Sequence, residues 1–266
     1  MKLEELKNWL HYSRLPEDEK TWLPTVYFDH EAQMELFANY LETVEIFLVR
    51  EKEKRGRVLK DEEEKVQKKL SKLKEEVRAG RIPFSNPFGP DYNDYESGIV
   101  NDVVSYLPML EYWSAMVDGF ADVLRKSFFV NLYGFWESQL FLFCNSLKNY
   151  DDAMSFENTE KFSPEHAKPL LREIGFPLGA RVWSDIKDYG ILRNCIVHHN
   201  GWTDRMGKER KRIKDLIRSE QLLLSLNGDK MIFNNGFCEK ALDTINKYFD
   251  ELLETLANWD LAQHAS

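Results

Sequence analysis

At 266 residues the chain is long enough for one large domain, or for an ordinary domain with an extension. Its 43% hydrophobic content is low and its 30% charged content high, a balance that predicts a packed core joined to a solvated helical part. The formal charge of -9 and pI of about 5.3 exclude a general attraction to polyanions, so nucleic-acid binding would have to use a local basic patch.

Met1-Lys2-Leu3-Glu4-Glu5 lacks the basic-then-apolar order of a signal peptide, and an intracellular, cytoplasmic protein is expected. Leu3, Leu6, Trp9 and Leu10 share one face of a short helix, after which Pro16 and Pro24 predict extended chain around Trp22 and Tyr27. From Asp29, a candidate N-cap, the pattern is helical. Leu36, Tyr40, Val44, Phe47 and Leu48 form the expected apolar stripe. Leu59, Val66, Leu70, Leu73 and Val77 continue it among Glu and Lys, as one long helix or a pair broken near Gly56. The mixed charge fits a solvated, coiled-coil-like helix better than an RNA contact.

Residues 80–98 contain three prolines and three glycines and predict a linker or loop, with aromatics that either pin it to the core or stack on bases. A second helical block is expected from Ile99, with a break or kink at Pro108. The stretch Phe128 to Cys144 is apolar on most sides and predicts the central helix, while Asn131 and Glu137 argue against a membrane span. Glu137 is expected either to pair with Arg193 or to lie on a narrow exposed edge.

A short helix around His166 to Ile174 precedes a helix from about Ala180 that Asn200-Gly201 should stop, leaving His198 in its last turn. Next comes the one concentrated basic run, with Arg205, Lys208, Arg210, Lys211, Arg212, Lys214 and Arg218. Two apolar segments then flank Asn227-Gly228-Asp229, a hairpin signal. A closing amphipathic helix uses Phe237, Ala241, Leu242, Ile245, Tyr248, Phe249, Leu252, Leu253 and Leu256, with a frayed tail after Trp259.

Leu192-Arg193-Asn194-Cys195-Ile196-Val197-His198-His199-Asn200-Gly201 places polar groups on an otherwise apolar helix. Imidazole, with an unperturbed pKa of ~6.5, accepts or donates a proton at neutral pH. Guanidinium forks onto phosphate oxygens. These are the groups that attack of a ribose 2'-OH on its own phosphodiester requires. Residues five apart on a helix lie about 140° apart, so Arg193 must curl to reach the face that Asn194 and His198 share.

The spacing Arg-Asn-x-x-x-His resembles the signature of the HEPN (higher eukaryotes and prokaryotes nucleotide-binding) superfamily, and the resemblance covers about residues 108–257. It implies an all-α fold, a HEPN-like helical domain at 99–266; the small β-hairpin insert, and the helical extension and linker at 1–98, for which the family offers no counterpart, are read from the residues themselves. It further implies a metal-independent endoribonuclease without a cofactor, of the kind that serves as a toxin or phage-defence effector. Arg193 and His198 would be the catalytic pair and Asn194 their polar companion, with Glu137 and His199 in support. Arg205, Lys208, Arg210, Lys211, Arg212 and Lys214 are the candidate RNA-binding residues, against the alternative of a solvated helix face. The implied partners are RNA, a second copy whose motif faces the first, and an antitoxin or regulatory protein. No membrane is expected. His199-Asn200 departs from the His-x-Tyr ending of one subgroup.

Three other readings compete. In the first, Arg193 simply pairs with Glu137 while His198 caps the helix end. Cys195, His198 and His199 would offer metal ligands without a convincing carboxylate. A Cys195 nucleophile would need a depressed thiol pKa. Cys144, Cys195 and Cys238, without a Cys-x-x-Cys, indicate neither a disulfide framework nor a zinc knuckle.

Overall fold

The structure, a computed structural model, describes residues 22–79, 94–150 and 162–264. Its elements in order are α1 (Trp22–Arg78), α2 (Asp94–Tyr150), α3 (Pro164–Glu173), α4 (Arg181–His199), two single 3-10 turns (Thr203–Arg205 and Gly207–Glu209), α5 (Arg210–Ser219), β1 (Leu224–Asn227), β2 (Lys230–Phe233) and α6 (Phe237–His264). The described chain is mostly helical, with one antiparallel hairpin in the register Leu224 to Phe233 and Asn227 to Lys230. Gly228, at φ 62°, supplies the turn.

Several local expectations change. Helix α1 begins at Trp22 rather than Asp29, because Pro24 falls in its first turn, where a missing N–H costs no internal hydrogen bond. Gly56 does not break it. Helix α2 begins at Asp94 and runs through Pro108, giving up one backbone hydrogen bond within a 57-residue element. Helix α6 continues past Trp259 to His264. The expected short helix near the N-terminus, the extended chain around Pro16 and the loop at 80–93 lie outside the described residues, as do the side chains of Leu59, Leu70, Leu73 and Val77.

Contacts divide the chain into two units, Met1–Glu42 with Leu124–Ser266, and Thr43–Val123. In the second, the α1 part carries short-range ion pairs, among them Glu51 with Lys54 and Arg55 and Lys65 with Glu62 at 2.6 Å. Such exposed i,i+3 and i,i+4 pairs contribute a few tenths of a kcal/mol each, about what a solvated helix gains from them. Phe47 and Phe120 meet edge to face in this unit, with centroids 6.4 Å apart.

The core lies in the first unit and is built around α2. Phe128, Leu132, Trp136, Leu140, Phe143 and Leu147 recur every three or four residues and are buried, as are Phe129, Tyr133 and Cys144 beside them. Helix α4 contributes Val182, Trp183, Ile186, Tyr189, Leu192 and Cys195, and α6 contributes the stripe from Phe237 to Leu256. Phe129 meets Tyr189, Phe233 and Phe237 edge on at 5.3–5.6 Å, so the hairpin is tied into the same cluster.

The buried side of α1 matches the expected stripe only at Val44 and Leu48. His30, Met34, Leu41, Val44 and Leu48 are buried and Phe37 partly so, whereas Leu36, Tyr40 and Phe47 are exposed. The steps of four, three, four, three and four average 3.6 residues, the period of the α-helix, which keeps one seam inward along it. Leu36, Tyr40 and Phe47 each sit one position before a seam residue.

Among the described residues, no helix is long and apolar enough to cross a membrane.

Candidate functional site

The site is built at the C-terminal end of α4. That end is closed by Asn200 at φ 53° and Gly201 at φ 79°, two successive left-handed residues that only Asn and Gly adopt readily. The amides of both point to the Cys195 carbonyl, at 3.0 Å for Gly201. Gly201 is buried, and a side chain there would meet Lys126 Nζ at 3.2 Å. Lys126 itself is buried and donates to the Met231 carbonyl, while Met231 N donates to Gly201 O at 2.9 Å. The end of the motif helix is thereby bolted to the hairpin.

His198 is exposed in the last turn, His199 is partly buried, and Val197 beside them is 46% exposed. One turn earlier, Arg193 Nη1 donates to Asn194 Oδ1 at 3.0 Å. Arg193 Nε is buried without a hydrogen-bond partner, a donor left open beside the exposed end of the helix. Arg193 therefore bends toward Asn194, on the face that Asn194 shares with His198.

Glu137 reaches the site from α2. It is half-buried and feels the Arg193 charge without forming a salt bridge to it. Burial raises its carboxyl pKa, and the Arg193 charge only partly opposes the rise. Tyr133, one turn away on α2, feels the same two groups. Burial first, and then the Glu137 charge, push its phenol well above the ordinary range, against Arg193. The structure thus gathers Tyr133, Glu137, Arg193 and Asn194, with His198 on the exposed side of the same helix end.

Gly190 makes this approach possible. A methyl group on its Cα would lie 2.7 Å from Tyr133 Oη and 3.5 Å from Cζ. We expect Gly190→Ala to lower stability in urea by about 1–2 kcal/mol, overpacking outweighing the ~1 kcal/mol of helix propensity it gains. Tyr133→Phe should restore the loss in the double variant, because the clashing atom is gone. Simple additivity of the two single changes would contradict this placement.

The basic run divides in two. Arg212 forms a bidentate pair with Asp188, Nε to Oδ1 at 2.7 Å and Nη2 to Oδ2 at 2.6 Å, and the Asp188 carboxylate is buried. Arg210 and Lys214 both meet Asp229 Oδ1, at 3.2 and 3.4 Å, and hold that carboxyl below its usual pKa. Arg218 pairs with Asp215 at 3.1 Å. Arg205, Lys208 and Lys211 are exposed, and among the described residues they have no carboxylate partner. Replacing Arg212 with alanine strands a buried carboxylate and should cost about 2 kcal/mol in denaturant, whereas Lys211→Ala should cost almost nothing.

Cys195 is buried and its thiol is pushed up to about 11, burial outweighing the pull of Lys126, so it has none of the thiolate character of a nucleophile. Among the described residues no group of three His, Cys, Asp or Glu side chains is placed to hold a metal ion.

Three residues of this site escape a motif search. Gly190 inside a helical pattern and Asp188 among apolar neighbours carry signals, of close backbone approach and of a buried pair respectively. Tyr133 carries none, being one more aromatic on an apolar helix. Comparison with protein-family models, curated proteins and solved structures finds no match to the chain.

Proposed function

We propose that the protein is a metal-independent endoribonuclease of the HEPN type, cleaving RNA by attack of the 2'-OH on the adjacent phosphodiester. The products would be a 2',3'-cyclic phosphate and a 5'-hydroxyl. The observation that carries this reading is the placement of His198. It stands exposed at the end of α4, one turn beyond an arginine whose Nε donor is buried and open. In the proposed reaction Arg193 binds the scissile phosphate and takes up the charge that grows on it, Asn194 steadies Arg193, and His198 transfers protons. One imidazole cannot be both base and acid in a single step, so the active form is a homodimer in which two copies of the motif share a cleft. Conditional toxicity, as a toxin or phage-defence effector restrained by an antitoxin or regulatory protein, is the biological role that follows from the resemblance.

A second reading is a non-catalytic helical interaction or nucleotide-binding module. The Arg193 to Asn194 hydrogen bond favours it, because it gives the guanidinium a partner within its own helix. The test is incubation of the purified protein, and of its His198→Ala and Arg193→Ala variants, with mixed RNAs in EDTA. Cleavage by wild type alone supports the enzyme. No cleavage under any condition, or equal cleavage by the variants, leaves the interaction module.

A further inference from the structure

Directly after the motif helix the chain presents an indole. Trp202 N donates to His199 O at 3.0 Å, and Trp202 bridges to Lys230 of β2. The residues on both sides are fixed to the same hairpin: Gly201 O accepts from Met231 N, and Thr203 donates from N and Oγ1 to the Asp229 carbonyl at 2.9 and 3.0 Å. The indole is therefore held at a set position beside His199, only partly buried. The Arg205 guanidinium lies above its ring, 5.6 Å from the centroid.

What distinguishes Arg205 is the company it keeps. Arg210, Arg212, Lys214 and Arg218 each rest on a carboxylate, while Arg205 is held by an aromatic ring that leaves its charge unneutralised. Lys208 and Lys211 follow, exposed and equally without carboxylates among the described residues. In a chain of net charge -9 these three cations, interleaved with the exposed carboxylates of Asp204 and Glu209, leave the stretch beside the indole net positive next to the end of α4.

We propose that Trp202 and Arg205 receive an unpaired nucleobase of single-stranded RNA and its phosphate, with Lys208 and Lys211 tracking the backbone away from His198. A base stacks on aromatic rings and on guanidinium planes whatever its identity, and duplex RNA keeps its bases turned inward. The site thus selects unpaired segments over helices. The inference rests on the ribonuclease reading for its ligand, but it concerns binding and has its own readout.

The experiment is fluorescence anisotropy of a labelled single-stranded RNA of mixed sequence, and of the same strand annealed to its complement. The protein is full-length His198→Ala, so that the probe survives. Trp202→Ala and Arg205→Gln should each weaken single-strand binding about tenfold, and Trp202→Phe should keep most of it. Duplex binding should change little. Arg181→Ala, at the opposite end of α4, should match the parent, and circular dichroism verifies that each variant is folded. If Trp202→Ala binds single strands as the parent does, if single strand and duplex weaken equally, or if the parent binds no RNA, the proposal is overturned. Single-strand binding that depends on Trp202, in a protein that never cleaves with His198 intact, would keep this site and end the ribonuclease reading instead.

Discussion

Alanine at His198 should reduce RNA cleavage in EDTA by at least about a thousandfold, and alanine at Arg193 by about a hundred to a thousandfold. The two magnitudes differ because the two roles differ. Proton transfer by a placed imidazole is worth ~10²–10⁴, and in a twofold-symmetric site His198→Ala removes both the base and the acid at once. Removing Arg193 takes away charge stabilisation from the phosphorane but leaves both histidines. Lysine at 193 should recover only part of the rate, since an ammonium cannot fork onto two phosphate oxygens. Asn194→Ala should act through Arg193, raising KM and lowering kcat by about tenfold, because the 3.0 Å hydrogen bond that fixes the guanidinium is lost. Mixing His198→Ala with wild-type chains should depress activity more than dilution alone. Strict proportionality to the wild-type fraction would mean that each copy works by itself.

The elements that follow simple periodicity were legible before any coordinates. The motif helix, its Asn-Gly stop, the hairpin around Gly228 and the α6 stripe all depend on contacts a few residues apart, and local pattern encodes these directly. The seam of α1 was not, because its apolar residues are dense enough that two neighbouring stripes compete. Only packing shows that Met34 and Leu41 face inward while Leu36 and Tyr40 do not. The basic run shows the same limit in electrostatic form. As sequence, Arg205 and Arg212 are equivalent cations, and their difference arises from Asp188 and Trp202, residues 24 and 3 positions away whose placement only the tertiary fold decides. Glu137 is the clearest case. Its proximity to Arg193 was foreseeable from the cost of burying a lone carboxylate, but the balance between burial and attraction was not.

Acid should loosen the docking of α1 through His30, with a loss of about 3 kcal/mol between pH 6.5 and pH 4. His30 is buried in the first unit, stacked on Phe135 at 6.0 Å and tilted against Phe249 at 4.0 Å, and its Nδ1 has no hydrogen-bond partner. Burial alone lowers its pKa to about 4, since the aromatic surroundings offer the imidazolium nothing in place of water. In the unfolded chain the ring takes up its proton near pH 6.5, so between those values the unfolded state binds more protons than the folded one. The contribution of His30 is therefore complete above pH 6.5, declines as pH falls from there to about 4, and is flat below. His30→Leu removes both the titration and the unsatisfied nitrogen, so it should be neutral or stabilising at pH 7 and more stable than wild type by about 2–3 kcal/mol near pH 4.5. The measurement is urea unfolding of both proteins at intervals from pH 4 to pH 7.5. Carboxylates elsewhere titrate equally in the two chains, and their contribution cancels in the difference. Parallel curves across that range would show that the ring is solvated when it titrates, and that α1 docks through Met34, Phe37 and Leu41 without it.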